Sequence, residues 1–584
     1  MKKKWMLFWT TLLLTALLLG GCGSLNSTSA MEDTINSAED AVATEATQDE
    51  DLSTESVEEA DLAEDIIYTP IEYEYTQDLN IIEDNYRNYY EIFVYSFYDS
   101  DGDGIGDIQG IISKLDYIND GNDETDTDLG FNGIWLMPIM PSTTYHKYDV
   151  TDYYSIDEQY GTMEDFKLLA TECHKRNIKL IIDFVFNHTS AKHPWFTEAV
   201  SYLETLPEGE EPDLSVCPYV DYYNFTRENK GGDTYHRAGT SDFYYECMFW
   251  DQMPDLNLGN ENLRAEIEKI ASFWLDAGVD GFRLDAAKEF YSGQIEKNVE
   301  VLEWFSSYVT SVSQDAYLVA EVWEDTTYLS QYYESNITSL FDFPLSQHDG
   351  KIIKAARKTG NSSANSFVNA MITLQDTYGN INPGYIDAPF ISNHDTTRVS
   401  AMCVNDENQM KMAAGMLLTM SGSPFVYYGE EIGMNSYGSK DENKRLPMQW
   451  SKTEFTGITQ KPENADEVEQ AFPAADQQSL DPLSLLNYYK RAVQIRNENP
   501  EIARGKVAAI TELCGDDIAA VTKTYEDSTI GIVYNISDTP SSVDISNTAL
   551  EGMSIRGYLT TDGSVITIDA NQVTMPAYSI LFLK

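Results

Sequence analysis

Gly281-Phe282-Arg283-Leu284-Asp285-Ala286-Ala287-Lys288 reads as a short strand that runs straight into charged residues. Arg283 and Asp285 are two positions apart, so on a strand both side chains point to one face. A cation and a carboxylate at a strand end are costly to bury without a purpose. Three other short apolar runs end the same way: Asp183-Phe184-Val185-Phe186-Asn187-His188, Glu321-Val322-Trp323 and Asn393-His394-Asp395. One polar residue at a strand end is ordinarily a satisfied structural group. Four carboxylates, two histidines and an arginine converging on one rim point instead to chemistry.

Working outward, eight strand-like runs are spaced along the chain: Glu91–Phe97, Gly133–Met137, Lys179–Phe186, Gly281–Asp285, Tyr317–Val322, Ser339–Phe343, Phe390–Asn393 and Pro424–Tyr428. Helix-like stretches such as Met163–Arg176, Glu261–Ala277 and Asn405–Met420 lie between them. Alternating strand and helix implies a parallel sheet. Eight such units predict a closed (β/α)₈ TIM barrel, whose active site lies at the C-terminal ends of the strands. An open doubly wound sheet is the alternative, and no Gly-rich dinucleotide loop follows the first strand to favour it. Residues 189–250 are too long and irregular for a simple connection and predict a small inserted domain after strand three. After the helix-like Pro482–Arg496 the chain turns all-β, with runs at Gly531–Asn535, Met553–Leu559, Val565–Ile568 and Ile580–Lys584, so residues 501–584 predict a C-terminal antiparallel β-sandwich. The barrel then occupies residues 81–188 and 251–500.

The N-terminus reads differently. Lys2-Lys3-Lys4, an apolar run and Leu19-Gly20-Gly21-Cys22 make a secretory signal, residues 1–21, that is too short for a membrane span. Those last four residues resemble a bacterial lipobox, which would lipidate Cys22 and anchor the chain on the outer face of the cell membrane. No Lys or Arg occurs between Lys4 and Arg87, and residues 22–80 are rich in Ser, Thr, Ala, Asp and Glu. Such a segment buries too little to offset ordering and predicts an extended acidic tether. The net charge of −58 repels nucleic acid but not a neutral polymer. The six cysteines show no metal-binding spacing; with Cys22 lipidated five remain, among which Cys217 and Cys247 are near enough in sequence to pair. Nothing in the sequence sets an oligomeric state.

Asp285, Glu321 and Asp395 suit glycoside hydrolysis, which uses one carboxylate as nucleophile and a carboxylic acid to protonate the leaving oxygen. Arg283 sets a positive charge beside Asp285, whereas Glu321 has no basic neighbour in sequence and is the candidate acid. These motifs resemble the α-amylase family of glycoside hydrolases from Tyr86 to Lys584. Asp183–His188, Gly281–Lys288, Glu321–Trp323 and Phe390–Asp395 match its strand motifs, Gly133–Pro138 its second-strand motif and Met253–Asn257 that of its inserted domain. The resemblance implies Asp285 as nucleophile, Glu321 as acid/base and Asp395 as transition-state stabiliser. It implies His188, Arg283 and His394 on the sugar at the cleavage point, Tyr148 stacked on that ring, and Lys288 on the sugar beyond the cut.

Asp99-Ser100-Asp101-Gly102-Asp103-Gly104-Ile105-Gly106-Asp107 places oxygen ligands at loop positions one, three, five, seven and nine with Gly at six, a calcium pattern. Gly110 stands where an EF-hand carries its acidic twelfth residue, and the loop instead resembles the calcium loop of the oligo-1,6-glucosidase-like branch. Asp99, Asp101, Asp103, Asp107 and the Ile105 carbonyl are the expected ligands of a structural Ca²⁺. The older amylase calcium site is not expected, because Glu289 stands where typical members carry His. Lys444–Trp450 resembles exo-acting α-glucosidases, in which residues matching Asp149 and Arg445 clamp the non-reducing end. Ala286, Lys288 and Met253-Pro254-Asp255 resemble the group between oligo-1,6-glucosidases and neopullulanases. The favoured expectation is an α-amylase on starch and maltooligosaccharides. α-Glucosidase or neopullulanase activity, and a surface glucan-binding protein on an inactive barrel, are the alternatives.

Overall fold

The computed structural model describes residues 82–122, 125 and 127–584. Cys22, the signal and the whole of the tether lie outside them. Seven strands form one parallel sheet in the spatial order Phe425–Tyr427, Tyr89–Ile92, Gly133–Leu136, Lys179–Phe184, Gly281–Leu284, Tyr317–Ala320 and Ser339–Leu340. The remaining gap is closed by residues 388–391, where Phe341 bridges Ala388 and Phe390 bridges Phe425, both parallel. The expected seventh strand, Phe390–Asn393, is therefore reduced to two bridges. Pro389 has no N–H to give a ladder, and its carbonyl accepts from Phe425 N at 2.9 Å.

The first strand also differs from expectation. It covers Tyr89–Ile92, and Val94–Ser96 forms a single 3₁₀ turn in place of its second half. The run is buried at every position but Tyr95, so apolar periodicity could not mark its end. Gly106 packs against the turn so closely that a Cβ would sit 1.9 Å from the Val94 carbonyl oxygen.

Alternation along the strands divides two cores. Tyr89, Trp135, Ile181, Tyr317, Val319, Phe341, Phe390 and Phe425 fill the barrel interior. Tyr89 lies between Tyr317 at 5.1 Å and Phe425 at 4.7 Å, and Gly133 leaves room for its ring. Tyr90 and Ile92 face the surrounding helices, which puts Glu91 back inside the barrel with Tyr89. The helices begin where side chains satisfy their free N–H groups: Thr162 and Asp165 form a capping box on Met163–Lys175, and Asn260 caps Glu261–Asp276.

Between strands three and four the chain inserts the helix Pro194–Leu203 and a small antiparallel sheet of Phe225–Thr226, Tyr244–Glu246 and Tyr235–Arg237. The bridge from His188 to Asp255 joins its base to the end of strand three, and Tyr223 of the inserted segment bridges the adjoining Leu256. Cys217 and Cys247 are both buried there and unbridged. At the C-terminus a five-stranded sheet, from Lys506–Ala509 to Ser579–Leu583, packs on a three-stranded one made of Ser541–Asp544, Gln572–Met575 and Thr567–Asp569. Buried Lys523 ties this sandwich to the barrel through the Thr419 carbonyl (2.6 Å) and the Ser421 hydroxyl (3.0 Å). Among the described residues no helix is long and apolar enough to cross a membrane.

Candidate active site

A cavity of about 690 Å³ opens at the C-terminal rim of the barrel. Tyr148, His188, Asp285, Lys288, Glu321, Asp395 and Arg445 all line it. Behind its wall lies Arg283, almost wholly buried at the end of strand four and not itself among the lining residues. One terminal nitrogen binds Asp183 and Asp285, each at 2.6 Å, and the other binds Glu321 at 2.5 Å. One cation thus organises three carboxylates from three neighbouring strand ends. The backbone turns sharply just after Asp285: Ala286 adopts φ +49°, and its N–H donates to Glu321 at 3.2 Å. Left-handed backbone at a non-glycine residue costs energy and collects at functional sites.

A second chain of contacts runs across the barrel mouth. The Tyr148 hydroxyl donates to Asp183 at 3.0 Å and lies 2.7 Å from His394 Nε2. His394 Nδ1 meets Glu91 at 2.6 Å, and Nε2 lies 2.9 Å from Asp395. Arg445 donates to Asp395 at 2.8 Å, to the His394 carbonyl at 3.1 Å and to the Tyr145 hydroxyl at 3.1 Å. His188 Nε2 is buried without a protein partner, in a ring that lines the cavity, so it is available to a bound hydroxyl. Lys288 reaches Glu324 at 3.1 Å and the Trp323 carbonyl at 3.3 Å.

The electrostatics separate the carboxyl groups. Burial pushes Glu321 up to about 7, against the pull of Arg283 and with help from the charges of Asp285 and Asp395. Burial also raises Asp183 to about 7, again against Arg283. Asp395 moves the other way: burial opposes ionisation, but His394, Arg445 and Arg283 together hold it well below the usual carboxylate range. Burial opposes the charge on His394 too, yet Asp395 and Glu91 lift it to about 9, so it is a cation at neutral pH.

Asp149 is set back from the cavity, as Arg283 and His394 are. It is fully buried and is not among the residues lining the cavity. Its carboxylate accepts from the hydroxyls of Ser142, Thr143, Thr144 and Ser190 and from Thr143 N. It pins the loop that carries Tyr148. The residue of that loop that Arg445 meets is Tyr145. Sequence reading also passed over Glu91, whose signal was a carboxylate inside an otherwise apolar strand, and Phe249, which lines the cavity from the inserted segment. No local pattern marks Phe249.

In the acidic loop the structure brings the carboxylates of Asp99, Asp101 and Asp107 within 4.8 Å of one another; Asp103 is not in that group. Gly102 and Gly104, at φ +88° and +94°, make the turns that converge them. Asp107 also caps the helix Ile108–Ser113 through Gly110 N at 2.7 Å. Three hard oxygen donors with no basic side chain among them suit a cation such as Ca²⁺.

Residues 91–505 match the family described as alpha amylase, catalytic domain. The chain belongs to the α-amylase family. It is 37% identical to Alpha-amylase 3 of Dictyoglomus thermophilum over 514 residues, which are 85% of this chain and 93% of that one. The solved structure of Eubacterium rectale Amy13B superposes with a TM-score of 0.83 at 46% identity, covering 87% of this chain and 97% of the other. Oligo-1,6-glucosidase of Parageobacillus thermoglucosidasius is 28% identical over 77% of this chain and 89% of its own length. With this family membership the barrel-mouth cavity is that of an α-amylase-type glycoside hydrolase.

Proposed function

We propose that the protein hydrolyses α-1,4-glucosidic bonds of starch and maltooligosaccharides with retention, Asp285 serving as nucleophile and Glu321 as acid/base. The observation that carries this is the Arg283 guanidinium holding both carboxylates at the cavity wall while Glu321 keeps its proton to about pH 7. Binding by one guanidinium suits the short separation of retaining enzymes, about 5–5.5 Å. Glu321 gives its proton to the glycosidic oxygen as the C1–O bond breaks, and Asp285 bonds to C1. Water then attacks C1, Glu321 takes its proton, and Asp285 leaves. Esterified Asp285 carries no charge, so Glu321 gives up its proton more readily when it must act as base. Asp395, ionised by His394 and Arg445, faces the positive charge that develops on the ring. Tyr148 packs on that sugar, His188 and His394 bond its hydroxyls, and Lys288 meets the sugar beyond the cut.

The test is a time course on soluble starch, pullulan and maltose. Early mixed-length maltooligosaccharides with maltose nearly untouched are expected. Glucose alone from short substrates would move the assignment to an α-glucosidase, a reading favoured by Arg445 beside Asp395. No product from any of them would leave a glucan-binding protein. Because the acid form of Glu321 is the active one, kcat/KM should fall about tenfold per unit as pH rises above about 7. A profile flat to pH 9 would remove Glu321 from the role.

The Asp99–Asp107 loop is proposed to hold Ca²⁺ in a structural role, with Asp99, Asp101 and Asp107 at the core of the site. A bound cation stabilises only the folded state, so chelation should lower Tm by a few degrees and calcium should restore it. An unchanged Tm, with no calcium found by metal analysis, would dismiss it. Lipidation at Cys22, anchoring the enzyme outside the cell, is proposed from the lipobox alone. Labelled palmitate should enter the parent and not Cys22→Ala.

A further inference from the structure

The inserted segment carries an aromatic surface that the catalytic cavity does not use. Trp195 opens the helix Pro194–Leu203, and Tyr219 and Tyr222 sit on the turn Pro218–Tyr222; all three are partly exposed. Trp195 and Tyr219 are nearly parallel, with 21° between planes and 6.5 Å between centres. Tyr222 stands across both, at 5.3 Å from Trp195 and 5.4 Å from Tyr219. The rings are braced from behind. Buried Tyr153 stacks on Trp195 at 5.9 Å, and its hydroxyl donates to the carbonyls of Val185 and His188. The His193 side chain accepts from Trp195 N at 3.2 Å, and the Tyr222 carbonyl accepts from Asn257 N at 2.8 Å.

All three rings are packed on one side against the main hydrophobic core. Among the described residues, the two phenol hydroxyls and the indole N–H take no partner, and they are not enclosed. Half-covered rings with free polar edges offer an apolar face to the C–H side of a sugar and hydrogen bonds to its hydroxyls. The surface continues at Tyr154, 39% exposed, whose ring meets Phe273 at 5.2 Å and whose hydroxyl donates to Glu266 at 2.8 Å. Glu266 and Lys269 also lie beside Tyr222. The chain's charge of −58 disfavours an anionic ligand and leaves a neutral polymer unopposed.

We propose that Trp195, Tyr219 and Tyr222 form a second binding surface for an α-glucan chain, separate from the catalytic cavity. Polymer held there is kept at high local concentration for the cleft. The inference rests on the α-glucan hydrolase reading above. The test uses the full chain with Asp285→Asn, run through native gels containing amylopectin, against the same chain carrying Tyr219→Ser and Tyr222→Ser. Binding should weaken roughly tenfold with Tm unchanged. In the active enzyme the same two substitutions should spare maltotetraose hydrolysis and slow attack on granular starch. Trp195→Ala should act likewise; if it lowers Tm, the tyrosine pair decides. Equal retardation of parent and tyrosine variant at equal Tm overturns the proposal. Tyrosine-dependent retardation by a parent that hydrolyses no α-glucan would instead overturn the hydrolase reading and leave the surface standing.

Discussion

Asp285→Asn is expected to fold like the parent and to lose on the order of 10⁴–10⁶-fold in kcat on maltooligosaccharides, the scale seen when a covalent nucleophile is removed. The fold should tolerate it, because asparagine can still accept from Arg283, and one of three carboxylates crowding that single cation is neutralised. The same charge argument makes a second, independent readout. The Asp285 charge is one of the influences raising Glu321. Removing it should therefore shift the alkaline limb of any residual activity to lower pH. Glu321→Gln should cost on the order of 10²–10⁴-fold on starch, the worth of a general acid. The loss should be much smaller in the bond-breaking step of an aryl maltoside whose phenol leaves without protonation. Measuring kcat/KM for both substrates, which reports the steps up to bond breaking and not the later attack by water, with circular dichroism to confirm folding, separates the two roles. Substantial starch hydrolysis by Asp285→Asn, or an equal loss on both substrates for Glu321→Gln, would reverse the assignment.

The rim was legible because its side chains lie next to one another in sequence where strands end. Arg283 and Asp285 share a face by the two-residue repeat of a strand, and the structure joins them at 2.6 Å with Asp285 on the cavity wall. Glu91 was overlooked for a related reason: its partner His394 is 303 residues away, and only closure of the barrel joins them. At Asp149 the path of the loop decides the contacts. Its neighbours Ser142, Thr143 and Thr144 were plain in the sequence, but that their hydroxyls fold back onto its carboxylate depends on the loop's path. The shortened seventh strand has a local signal, Pro389, which the apolar run around it masked. In the acidic loop the spacing anticipated the convergence of Asp99, Asp101 and Asp107, while Asp103 stays outside their group.

Arg283→Gln should produce the largest loss of stability of any single change at the rim. The parent residue is buried and is the shared partner of Asp183, Asp285 and Glu321, with Trp135 and Tyr148 rings at 5.3 and 5.7 Å. Removing one partner of a buried ionic cluster leaves charge without compensation, at a cost of about 3–5 kcal/mol. The cost should depend on pH with a definite sign. Burial already lifts Asp183 and Glu321 to about 7, and Arg283 is what restrains them. Without it both rise further. A carboxyl group whose folded value lies above its unfolded value binds more protons when folded, so stability falls as pH rises between the two. The Tm deficit of Arg283→Gln relative to the parent should therefore be small near pH 5 and grow toward pH 8. Arg283→Lys keeps the charge but not the two-ended fork, so it should recover part of the stability and little of the activity. A melting series over that pH range, with turnover of maltotetraose measured alongside, reads both effects. A deficit independent of pH would mean that Arg283 acts through packing alone, and full activity in the lysine variant would mean that the shared guanidinium does not position the two catalytic carboxylates.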